Sequence, residues 1–115
     1  MATLTATLPS RAGTLIAGAP VAASDVIPAS LLGARGAYLE ILNGGGSPDA
    51  MTIQDFGATP AGSTLTGNTY PVTVTNGTNK SCLIVPQQGD PANAGQVVIT
   101  HGFITSVTYK LTPLI

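Results

Sequence analysis

The sequence predicts an all-β protein, a β-sandwich or jelly roll with an extended N-terminal arm. Three observations carry that expectation. Short runs alternate apolar and polar residues with period two, Gly, Pro and Asn separate them at close intervals, and no segment of any length has helical periodicity. Six or seven such strands in 115 residues suit one domain with a modest core. A small closed barrel is the alternative for the same pattern.

Residues 1–28 are expected to form the arm and residues 29–115 the sandwich domain. The arm begins with an alternating stretch, Thr3 to Leu8, long enough for a short strand. Pro9, Gly13, Gly18, Pro20 and Pro28 then exclude a long helix. Ser24-Asp25 is placed to cap a single helical turn ahead of Val26-Ile27, with Pro28 limiting it.

Tyr38–Asn43 is the first clear strand, with Leu39 and Ile41 on one face and Glu40 on the other. Asn43-Gly44-Gly45-Gly46 makes the turn after it, since glycine reaches positive φ without steric cost. Met51–Phe56 is the next strand, and Gly57–Thr69 is a loop without hydrophobic periodicity. In Tyr70–Thr75, Tyr70, Val72 and Val74 point inward, and Pro71, lacking an N–H, places the strand at a sheet edge or margin. Asn76-Gly77 is the best two-residue turn signal. Ser81–Val85 reads as a strand buried on both faces, and Pro86–Gly95 as a polar loop.

The chain closes with two β-type runs, Gln96–Thr100 and Phe103–Leu111, joined through His101-Gly102. In the second, Phe103, Val107, Tyr109 and Leu111 share one face, while Ser106, Thr108 and Lys110 share the other.

Composition narrows the function. Charged residues are 8% of the chain, against about 25% in ordinary soluble domains. The net charge is −1, so copies repel one another little and association is favoured. Four Lys and Arg residues, scattered, do not make a nucleic-acid footprint. No apolar run approaches the roughly 20 residues of a membrane-spanning helix. Arg11 precedes the small apolar stretch Gly13–Ala23, but Gly18 and Pro20 break it, and no cleaved secretory signal is expected.

No catalytic, metal or cofactor motif stands out, and the expectation is a protein that is not an enzyme. Cys82 is the only cysteine and reads as a small buried hydrophobe. His101, the only histidine, reads as a solvent-facing or hydrogen-bonded loop residue. Asp25, Glu40, Asp49, Asp55 and Asp90 never cluster in sequence, and Asp49 and Asp90 stand in turn contexts. The triple glycine opens no helix and is followed by no Lys-Ser/Thr pair, so it is no phosphate cradle.

The order of parts resembles small virion proteins of tailed phages of actinobacteria, of the capsid decoration or cement type. The resemblance rests on Pro9-Ser10-Arg11-Ala12-Gly13, Asn43-Gly44-Gly45-Gly46, Met51-Thr52-Ile53, Thr73-Val74-Thr75, Gly95–Thr100 and Thr105-Ser106-Val107-Thr108, and spans roughly residues 9 to 111. It implies a non-enzymatic β-rich protein on the outer capsid surface, bound to the major capsid protein and to copies of itself, often as a homotrimer. On this reading the arm makes the contacts, through Leu4, Leu8, Arg11, Leu15 and Ile16. Another virion position, head–tail connector or tail, and a carbohydrate-binding sandwich with Tyr38 or Tyr70 stacking on the sugar, are the alternatives.

Overall fold

Two sheets face each other across one apolar layer. The structure is a computed structural model that describes residues 2–8, 10–55 and 68–114. Among these, the strands are β1 (Ala2–Thr3), β2 (Ala19–Pro20), β3 (Ser24–Ile27), β4 (Ala37–Asn43), β5 (Asp49–Asp55), β6 (Asn68–Val74), β7 (Asn79–Ile84), β8 (Val97–Thr100) and β9 (Val107–Pro113). One sheet has the order β1-β3-β8-β5-β6 and the other β2-β9-β4-β7. The shortest dimension, 20 Å, fits two sheets packed about 10 Å apart with their outer side chains. The fold is an all-β sandwich rather than a closed barrel.

The chain changes sheet at every connection except β5 to β6. Asn76-Gly77 illustrates this. It forms the expected turn, with Gly77 at φ 79° and the Thr78 N–H donating to the Thr75 carbonyl at 3.1 Å. The turn is not a hairpin, however. It carries the chain from β6 in one sheet to β7 in the other.

The inward faces follow the alternation read from the sequence. Leu39 and Ile41 of β4 meet Met51 and Ile53 of β5, with Ile99 of β8 and Leu111 of β9, all fully buried. β6 is an edge strand, which accommodates Pro71. The loop expected at Gly57–Thr69 falls largely outside the described residues.

Four expectations are corrected. The last strand starts at Val107, not Phe103, because Ser106 takes φ 59° and ends the extended run, with the Val107 N–H turning back to the Ile104 carbonyl. The stretch Ser81–Val85 is not buried on both faces. β7 is the outermost strand of its sheet, so Ile84 is buried while Ser81 and Leu83 are exposed. Ser24-Asp25 caps no helix. Ser24–Ile27 is β3, and the short helix α1 (Ala29–Leu32) follows Pro28.

The fourth concerns the arm. β3 lies between β1 and β8, an interior position of its sheet. The Leu4 N–H donates to Val26 and the Thr7 N–H to Leu111, so residues 2–7 pass from one sheet to the other. β2 pairs with β9, and the Tyr109 hydroxyl accepts a hydrogen bond from the Thr5 N–H at 3.0 Å. Much of the segment before residue 28 therefore seals one side of the sandwich. A boundary at residue 28 would cut through hydrogen-bonded sheet.

Candidate functional site

Between Thr7 and β2 the chain leaves the sandwich and makes a loop, residues 8–18, described at residue 8 and from residue 10 onward. It is turned by Ser10, whose carbonyl accepts from the Gly13 N–H and whose hydroxyl donates to the Gly13 carbonyl at 3.1 Å. Gly13 has φ 93°, which glycine adopts freely. The loop returns tightly against β9, where a Cβ on Gly18 would stand 2.7 Å from the Thr108 hydroxyl.

The returning limb overhangs the outer face of the four-stranded sheet. Thr14, Leu15 and Ile16 form one wall of an open groove of about 670 Å³. Its floor follows from strand register. Ser81, Glu40 and Lys110 lie in one row across β7, β4 and β9, and Tyr38 and Thr112 in the next, where Leu83 stands beside Tyr38 outside the groove lining. The Glu40 carboxylate accepts from the Asn79 amide at 2.6 Å. Tyr38 and Leu83 are each about half exposed, and Leu15 is 94% exposed. An apolar side chain so fully in water has no role in this chain's own core, and with Ile16 and Tyr38 it gives the groove an apolar share of its lining.

The five arm residues expected to make contacts separate into two groups. Leu15 and Ile16 line the groove, and Leu8 and Arg11 are exposed on the same loop. Leu4 is not available. It is 3% exposed and belongs to the sandwich core. Reading one extended arm over residues 1–28 missed that the segment is pinned at both ends and free only between.

A second feature went unread. Asp25 on β3, His101 just past β8 and Asp49 on β5 converge on the inner face of three neighbouring strands, all buried. The His101 Nδ1 lies 2.7 Å from the Asp49 carboxylate and its Nε2 lies 3.4 Å from that of Asp25. Asp49 also accepts from the Gly102 and Phe103 N–H groups, and Asp25 from that of Ala22. The His101 N–H donates to the Ala23 carbonyl. His101 is thus hydrogen-bonded as expected but buried rather than in solvent, and Asp49 opens a strand.

The cluster's side chains are almost wholly buried, and among the described residues its hydrogen-bond partners are backbone N–H groups and one another. Its geometry ties the N-terminal segment to β5 and to the β8–β9 loop. No group of residues suited to hold a metal ion occurs among the described residues. Cys82, half-buried on β7, has its thiol pushed above its ordinary value by burial, an effect that nearby Lys80 opposes. No described helix is long and apolar enough to cross a membrane.

Comparison with protein-family models, with curated proteins and with solved structures returns no significant match.

Proposed function

We propose that this chain is a structural virion protein, a decoration or cement protein on the outer surface of a phage head, and that it attaches through the loop of residues 8–18. The observation that carries the reading is Leu15, almost wholly exposed on a loop whose two ends are fixed by backbone hydrogen bonds. Presenting an apolar side chain on a pinned loop lowers the entropy lost on docking. A chain with only 8% charged residues adds little repulsion between neighbours, and many identical sites on a shell let each contact be weak. Quantitative mass spectrometry of purified particles of the encoding phage tests this. Copies in numbers set by the shell symmetry are expected, and Leu15→Asp protein is expected to fold and to be lost from the shell. Absence from the particle, or a copy number matching a single ring at the head–tail junction, overturns the decoration reading.

One observation favours a second reading, a carbohydrate-binding module. The half-exposed ring of Tyr38 stands beside Glu40, Ser81 and Lys110, an aromatic platform with polar groups along its side. A glycan array distinguishes the two, with binding abolished by Tyr38→Ala under this reading and no bound glycan under the first.

A further inference from the structure

The four edges of the two sheets are unequal. β1 and β2 are two residues long, and β6 contains Pro71. Very short strands and proline are two ways in which sheet edges are kept from pairing with other chains. β7 has neither. It is six residues long, contains no proline, and lies outermost in its sheet.

The register identifies which of its backbone groups are free. The Asn43 N–H donates to the Thr78 carbonyl at 3.0 Å, so the odd-numbered residues of β4 bond to the β7 side. The Gly44 N–H donates to Ser106 at 3.0 Å, which assigns the even-numbered residues to β9. Through the pairs Leu39 with Cys82 and Ile41 with Lys80, it is Lys80, Cys82 and Ile84 that bond to β4. Asn79, Ser81 and Leu83 therefore direct their N–H and C=O groups away from the sheet, and their side chains are exposed on its outer face.

We propose that this edge pairs with the same edge of a second copy, antiparallel, about a two-fold axis at Cys82. Ser81 and Leu83 of each copy then exchange backbone hydrogen bonds with Leu83 and Ser81 of the other. The occupant is a second copy because the strand is compatible with itself in this register. Its only charge, Lys80, falls opposite the second copy's Ile84, four residues from the second Lys80. That is about 13 Å along the strand, beyond the roughly 10 Å screening length at 0.1 M salt. The apolar side chains match as well. Leu83 of each copy lies diagonal to Leu83 of the other, within reach of long side chains, and extends the exposed pair it makes with Tyr38. The proposal stands independently of the virion reading.

Light scattering over a range of concentrations, with two variants, tests it. Wild-type protein is expected to give twice the 11.5 kDa chain mass. Ser81→Pro removes an outward N–H without touching the β4 ladder, and Leu83→Lys puts two charges near the axis. Both are expected to give folded monomers, checked by circular dichroism. Cys82 meets Cys82 at a non-hydrogen-bonded position, so a short thiol–thiol crosslinker at alkaline pH is expected to trap the dimer, and Cys82→Ser to abolish trapping. A monomer at every concentration, a trimer, or a dimer that survives both variants overturns the proposal.

Discussion

Replacing His101 with alanine tests the account of the buried cluster. Asp25 and Asp49 are both fully buried, with His101 2.7 Å from one and 3.4 Å from the other. Removing the imidazole leaves two carboxylates in the interior with only backbone N–H groups for partners. Breaking a buried pair by deleting one member costs about 3–5 kcal/mol, a large part of a domain's usual 5–15 kcal/mol of stability. An unfolding entropy of about 2.1 cal/mol/K per residue over 115 residues turns that into a fall in Tm of about 12–20 °C. Thermal denaturation followed by circular dichroism reads the shift. Adding Asp25→Asn to the alanine variant is expected to recover part of the loss, since it removes one uncompensated carboxylate. A Tm lowered by less than about 3 °C, or strictly additive losses in the double variant, refutes the reasoning.

Asn43 is buried, and its amide donates to Ser47 at 2.8 Å and to Val74 at 3.0 Å while accepting from the Gly45 N–H. Asn43→Ala is expected to cost about 1–3 kcal/mol for each of these groups left buried and unpaired, read by urea denaturation. Gly36 has φ 89°, and a Cβ there would stand 2.1 Å from the Ile84 carbonyl, so Gly36→Ala is expected to push β4 and β7 apart and to lose at least about 2 kcal/mol in the same assay. The raised thiol of Cys82 predicts slow alkylation near neutrality that accelerates only in the alkaline range, and Lys80→Ala is expected to move the onset higher still. The sign of the linked stability follows. The folded state holds the thiol proton more tightly, so this contribution is complete below the unfolded thiol's titration and is lost as pH rises through that of the folded one.

Strand alternation made most of the inner faces legible in advance. Leu39 and Ile41, Met51 and Ile53, and Tyr109 and Leu111 all turn into the core as their parity requires. Position within a sheet was not legible in the same way. The run Cys82-Leu83-Ile84 is apolar throughout, which suits a strand covered on both sides, yet β7 stands at an edge and leaves Leu83 half exposed. Parity tells which side chains share a face, but whether anything covers the other face depends on neighbours distant in sequence. The Phe103 to Leu111 run failed differently. Its alternation continues across a residue with positive φ, and the side-chain pattern does not reveal a backbone reversal at Ser106.

The buried cluster was within reach of the same parity, taken one step further. Asp25 shares the face of Ile27, Asp49 that of Met51 and Ile53, and His101 that of Val97 and Ile99. Each ionisable residue stands two positions from a core residue on a strand end, where the alternation already turned it inward. A single inward carboxylate is a cost. Two inward carboxylates and the only histidine of the chain, all extending core faces, form a set that can satisfy itself once the strands are neighbours, as they are in the order β3-β8-β5. The cluster also explains why the N-terminal segment is part of the sandwich and not an arm. Asp25 belongs to that segment, so peeling residues 2–27 away would expose the core of Leu4 and Val26 and leave His101 and Asp49 without their third member. Whatever the segment offers to a partner must be offered with both ends in place, which confines it to the loop that carries Leu15.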